Sequence, residues 1–84
     1  MLRIEMLGGE RVQGERFYLL EGDNKPKTLA EICKILKDRQ QGQPPLKGIE
    51  IIIFESSVAQ NHPAVSYLQN WASQHDFTVT LLKK

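Results

Sequence analysis

Leu2, Ile4 and Met6 alternate with Arg3 and Glu5, the period-two pattern of a strand with one buried face. Gly8-Gly9 follows as a turn able to take positive φ. Arg16-Phe17-Tyr18-Leu19-Leu20 supplies the return strand, so residues 2–20 read as a β-hairpin. Gly14 marks either a bulge or a longer connection between the two strands. From Glu21 to Lys27, turn formers and Pro26 force a change of direction.

The period then changes. Leu29, Ile32, Cys33 and Leu36 recur at i, i+3, i+4 and i+7, opposite Lys34, Lys37, Asp38 and Arg39, and Thr28 with Glu31 has capping-box spacing. The spacing predicts a helix over 28–41, ended by the loop that holds Gly42, Pro44, Pro45 and Gly48. Residues 49–54, Ile-Glu-Ile-Ile-Ile-Phe, are β-branched and nearly all apolar, as a strand covered on both faces would be. Pro63, with Asn61 or His62 as cap, opens a helix over 63–75 whose face carries Val65, Leu68, Ala72 and His75, bordered by Trp71. Phe77, Val79 and Leu81 alternate with Thr78 and Thr80 in a last strand, 77–82, whose Lys83-Lys84 end discourages edge pairing. The order ββαβαβ predicts an α/β (α+β) domain on a mixed four-stranded sheet with two helices, in two or three layers, the last strand-helix-strand unit closing as a parallel crossover.

Length and composition narrow the class. A chain of 84 residues has room for one core and no second domain, and 40% apolar with 25% charged residues is the balance of a folding protein. The formal charge of +1 offers no single-sign field to a polyanion. Cys33 is the only cysteine, so no intrachain disulfide or CxxC metal motif exists, which fits a cytoplasmic setting. Neither a signal-peptide pattern nor a membrane span is expected, since the longest apolar run is Ile51 to Phe54.

Arg16-Phe17, then Glu31 followed by Lys34-Ile35-Leu36, then Gly48-Ile49 leading to Phe54-Glu55, then the helix after Pro63, follow one another from Gly14 to Leu82. In that pattern the stretch resembles the deaminase-like fold found as toxin domains at the C-termini of large bacterial secreted proteins. The resemblance implies a deaminase-like topology, with Glu31 in the place of the proton-shuttling glutamate. A zinc deaminase also needs a His, Cys or Asp two residues before that glutamate and a pair of cysteines. Leu29 and Asn61-His62-Pro63-Ala64 stand there instead, so the resemblance implies a relative without the active site.

No catalytic or metal-binding constellation is recognisable, and no cofactor is expected. Glu31 is explained by its capping box, and Cys33 by burial on the apolar stripe. His62 and His75 lie about 20 Å apart along the second helix and cannot share a metal. The most site-like segment is the polar loop after the central strand, with Glu55, Ser56, Ser57, Asn61 and His62 as candidate binding residues, where a serine nucleophile or an anion-binding helix start would lie. Tyr67 and Trp71, at i and i+4, are candidate interface residues. The leading expectation is a non-enzymatic interaction module, acting on a protein partner or by self-association through the second helix and last strand. Two alternatives stand beside it. One is a small enzyme, hydrolase or divergent deaminase, using the 55–62 loop. The other is a nucleic-acid-binding accessory protein using Lys34, Lys37, Arg39 and Lys47, with Tyr18 or Tyr67 stacking on bases.

Overall fold

The computed structural model describes residues 1–84. Three strands and a turn of 3-10 helix build the first half with one helix: β1 (Leu2–Met6), the 3-10 turn (Gly9–Arg11), β2 (Tyr18–Leu20), α1 (Leu29–Gln40) and β3 (Gly48–Ile53). α2 (Pro63–Gln74) and β4 (Thr78–Lys83) complete the chain. The sheet order is β2-β1-β3-β4, with β1, β3 and β4 parallel and β2 antiparallel to β1, so the predicted mixed four-stranded sheet with two helices is the observed one.

One face of the sheet carries the core. Leu2, Ile4 and Met6 of β1 and Ile49, Ile51 and Ile53 of β3 join Ile32 and Leu36 of α1 and Val65, Leu68 and Ala72 of α2 in a single buried cluster. Both helices therefore lie on the same side, which makes the domain two-layered. The near-continuous apolar run of β3 suggests cover on both faces. Instead, Ile52 sits on the helix-free face with Leu19, Phe54 and Leu82, and is 3% exposed because neighbouring side chains fold over it. Arg3 contributes there, its Nε 3.1 Å from Glu50 Oε1.

The first hairpin is paired as expected, Ile4 opposite Leu20 and Met6 opposite Tyr18, but its return strand is shorter than the sequence pattern indicates. Arg16 and Phe17 stand outside it. Gly14, at φ +63, turns the chain, and the Arg16 amide donates to Gln13, so 13–17 curls before extended pairing begins. Gly14 is thus part of a long connection and not a bulge in a strand. Gly8 lies where the end of β1 crosses the loop after β3. A Cβ there would stand 2.6 Å from the Ser56 carbonyl oxygen, so only glycine fits.

Helix ends follow local chemistry. Thr28 and Glu31 form the full capping box, and Glu31 also meets Arg16 at 2.7 Å. His62 is the cap of α2, its Nδ1 accepting from the Ala64 amide at 3.0 Å, with Pro63 at the first helical position. At the other end the helix stops at Gln74. The Phe77 amide donates to Ala72 and the Asp76 amide to Ser73, a Schellman closure that places Asp76 at φ 67, a conformation aspartate tolerates better than most residues. Phe77, expected at the start of the last strand, belongs to this closure, and β4 begins at Thr78.

Candidate functional site

Because β1, β3 and β4 run parallel, their carboxyl ends share one edge, where ligands of open α/β sheets tend to collect. A depression of about 490 Å³ lies there, lined by Glu55, Ser57 and Gln60 of the loop after β3 and by Lys83 and Lys84 at the end of β4. The loop residues expected to act together are thereby divided. Glu55 and Ser57 face this depression, the exposed Ser56 turns its carbonyl toward Gly8, and Asn61 and His62 do not line it.

Ser57 is held by structure. Its hydroxyl donates to the Met6 carbonyl at 2.6 Å and accepts from the Phe54 amide at 3.0 Å, stapling the end of β1 to the turn after β3. With both partners backbone groups, no base touches the hydroxyl, so the arrangement an activated serine requires is missing here. In the sequence, Lys83 and Lys84 are legible only as residues that discourage edge pairing. Their place beside the loop emerges once β4 is known to lie parallel to β3.

A second depression, of about 230 Å³, opens between the entry to α1 and the start of α2. Phe17, Leu29, Pro63 and Tyr67 make it apolar, with Glu15 and His62 among its polar wall. His62 reaches it through its capping role, its ring centroid 5.1 Å from that of Phe17. Beneath the floor, Tyr18 is 1% exposed and its hydroxyl donates to the Ala64 carbonyl at 2.6 Å. Burial pushes the Tyr18 phenol well above its ordinary pKa, and nearby Cys33 adds to the shift. Tyr67 stands on the rim, 60% exposed.

The two candidate interface aromatics thus part company. Trp71 is half-buried, stacked at 4.2 Å on His75 and 6.0 Å from Phe77, and it closes the far end of the helix layer. His75 is fixed from its own helix, its Nδ1 2.8 Å from the Trp71 carbonyl, while Gln40 of α1 donates to the His75 carbonyl at 2.7 Å. Sequence reasoning misses Phe17 as a site residue because a phenylalanine in a strand-like run reads as core; only the turn at Gly14 frees its ring to meet His62.

The remaining candidates are scattered. Glu31 is committed to Thr28 and Arg16, and those contacts, the Thr28 amide first, hold its carboxyl below the usual range. Cys33 is partly buried, and burial pushes its thiol pKa up. No three His, Cys, Asp or Glu side chains gather as a metal site. Lys34, Lys37 and Arg39 are on α1 and Lys47 lies in the loop before β3, but the buried Tyr18 has no face for a base. No helix is long and apolar enough to cross a membrane. Comparison with family models, with curated proteins and with solved structures returns no match.

Proposed function

We propose that this chain is a small interaction module that works through protein–protein contacts, presenting the Phe17–Tyr67 depression to an apolar or aromatic side chain of its partner. The observation that carries the reading is the exposed Tyr67 ring on the rim of an apolar hollow, held over a rigid floor by the Tyr18–Ala64 hydrogen bond. A large aromatic that is neither stacked nor covered in the monomer contributes binding energy at a low ordering cost. A cytoplasmic setting suits the lone Cys33, whose shifted pKa favours the protonated thiol.

The test is capture of binding partners by wild-type chain and by Tyr67→Ala, with identified partners re-measured as purified proteins by calorimetry. A contact centred on Tyr67 loses about 2 kcal/mol, or about thirtyfold in affinity, on truncation. Partners that bind both forms equally would remove this surface from the reading. Tyr67 is exposed, so the variant keeps the fold, and circular dichroism checks that it does.

A second reading rests on Lys83 and Lys84 beside the strand-end depression. Two cations at the edge where parallel strands end suit a small anionic ligand, which would support an enzyme acting on such a compound. Calorimetric titration with inorganic phosphate decides it. Binding lost in Lys83→Ala/Lys84→Ala supports it, and no heat of binding sets it aside.

A further inference from the structure

Both helices lie on one side of the sheet and leave the other side bare. Three of the four strands run parallel, and parallel sheets almost always have both faces covered. Strand register lays two rows across the bare face. Leu19, Glu5, Ile52 and Leu82 form one, and Glu21, Arg3, Glu50 and Thr80 form the next. Phe54 extends the apolar surface toward the carboxyl ends of the strands, and a depression of about 280 Å³ opens between Arg3, Glu5, Glu21, Ile52, Phe54 and Lys84.

Charge on this face is unbalanced toward carboxylates. Arg3 is committed to Glu50, its Nε 3.1 Å from Oε1, and Lys84 stands at the strand-end rim, where its amide donates to Ile53. Glu5 and Glu21 take part in none of the chain's ion pairs. Glu21 accepts from the Arg3 amide at 3.2 Å, whereas Glu5, half-buried between Leu19 and Ile52, has no cation of its own. Covering the face strips water from the Glu5 carboxylate, which is unfavourable unless the cover brings a cation.

We infer that the helix-free face docks a basic amphipathic helix of a partner protein, with apolar side chains on Ile52, Phe54 and Leu82 and an arginine or lysine on Glu5. The docked helix supplies the third layer that α1 and α2 leave out. A helix of about 14 residues is about 21 Å long, enough to cross four strands spaced about 4.8 Å apart. A second copy of this chain is the poorer occupant, since it brings its own Glu5, Glu21 and Glu50 to a face already rich in carboxylates. The surface lies across the sheet from Tyr67, so the inference goes beyond the Tyr67 reading and stands or falls apart from it.

Two synthetic helical peptides of about 15 residues test this, one with a leucine face, a central arginine and flanking lysines, the other a twin with glutamate at every cationic position. Titrated into the full chain, the basic peptide binds and shifts the amide resonances of Glu5, Ile52 and Leu82, and the acidic twin does not bind. Glu5→Gln, which keeps the shape of the side chain, weakens the basic peptide about tenfold in calorimetry while circular dichroism shows the fold unchanged. Glu5→Lys inverts the preference between the twins, and Tyr67→Ala leaves it as it is. No binding of the basic peptide, or equal binding of both, overturns the inference. Resonance shifts that gather on α1 and α2 also overturn it and return the contact to the Tyr67 side. Shifts at Ile52 and Leu82 that grow with concentration in the peptide-free chain show a second copy on this face and overturn the choice of partner.

Discussion

At the β2 edge of the sheet, the Tyr18 amide and carbonyl are both bonded to Lys27, at 3.3 and 2.7 Å, and the Leu20 carbonyl accepts from the Asp23 amide. The chain after β2 folds back and closes its own edge. At the β4 edge, the outward N–H and C=O groups of Val79, Leu81 and Lys83 meet no strand. The β2 edge is closed because β2 leads into Glu21 to Lys27, a segment rich in turn formers with its own ion pair, Lys27 to Asp23 at 3.1 Å. The short β2 edge is closed by its own loop, whereas the outward backbone groups of β4 face no strand.

Truncations to alanine at the two edges give the largest contrast. Tyr18→Ala empties a buried ring and leaves the Ala64 carbonyl without its donor, at a cost of about 4 kcal/mol in urea denaturation. Leu81→Ala, on a half-buried side chain, costs about 1.5 kcal/mol in dilute solution. A Tyr18→Ala cost well above the Leu81→Ala cost is the expected outcome. Equal costs would break the comparison.

Tyr18 also gives the closed edge a signature at high pH. Its folded pKa is raised above the ordinary value of 10.0, so its contribution to stability is complete below pH 10 and is lost as pH rises toward the folded value. Tyr18→Phe should lose about 1 kcal/mol at neutral pH and unfold less steeply in alkali than the wild type. An alkaline unfolding limb unchanged by Tyr18→Phe would show that another group controls it.

Amide exchange separates the edges without mutation. The Tyr18 and Lys27 amides should be protected and those of Val79, Leu81 and Lys83 should exchange fast. The smallest effect belongs to Asp23. The Lys25 amide and then the Lys27 ammonium hold its carboxyl below the ordinary 3.8, so the stability it supplies is present above that value and fades as pH falls through the lower folded value. Being exposed, it matters little to the global fold, and its acid titration should be seen as faster exchange at Lys27 before the core amides respond.

Local signals carry far in this chain. Alternation locates β1, helical periodicity and a capping box locate α1 to within a residue at each end, and Pro63 with His62 locates the start of α2. These features depend on residues within one turn or one strand of each other, so they survive without tertiary context. The misreadings concern distant neighbours. Phe17 reads as strand because its hydrophobicity says nothing of the turn at Gly14, and the 55–62 loop reads as one site because contiguity in sequence suggests contiguity in space. Ser57 is consumed by Met6, which precedes it by more than half of the chain.

The sequence by itself determined the number and kind of elements, the caps that start both helices and the single core, because short-range periodicity and backbone chemistry encode them. Tertiary structure alone decided which sheet face stays without helices, that Tyr67 is open while Trp71 is packed, and that β4 ends the sheet with an unpaired edge. Those properties come from burial and strand order, which are set by contacts between residues far apart in the chain.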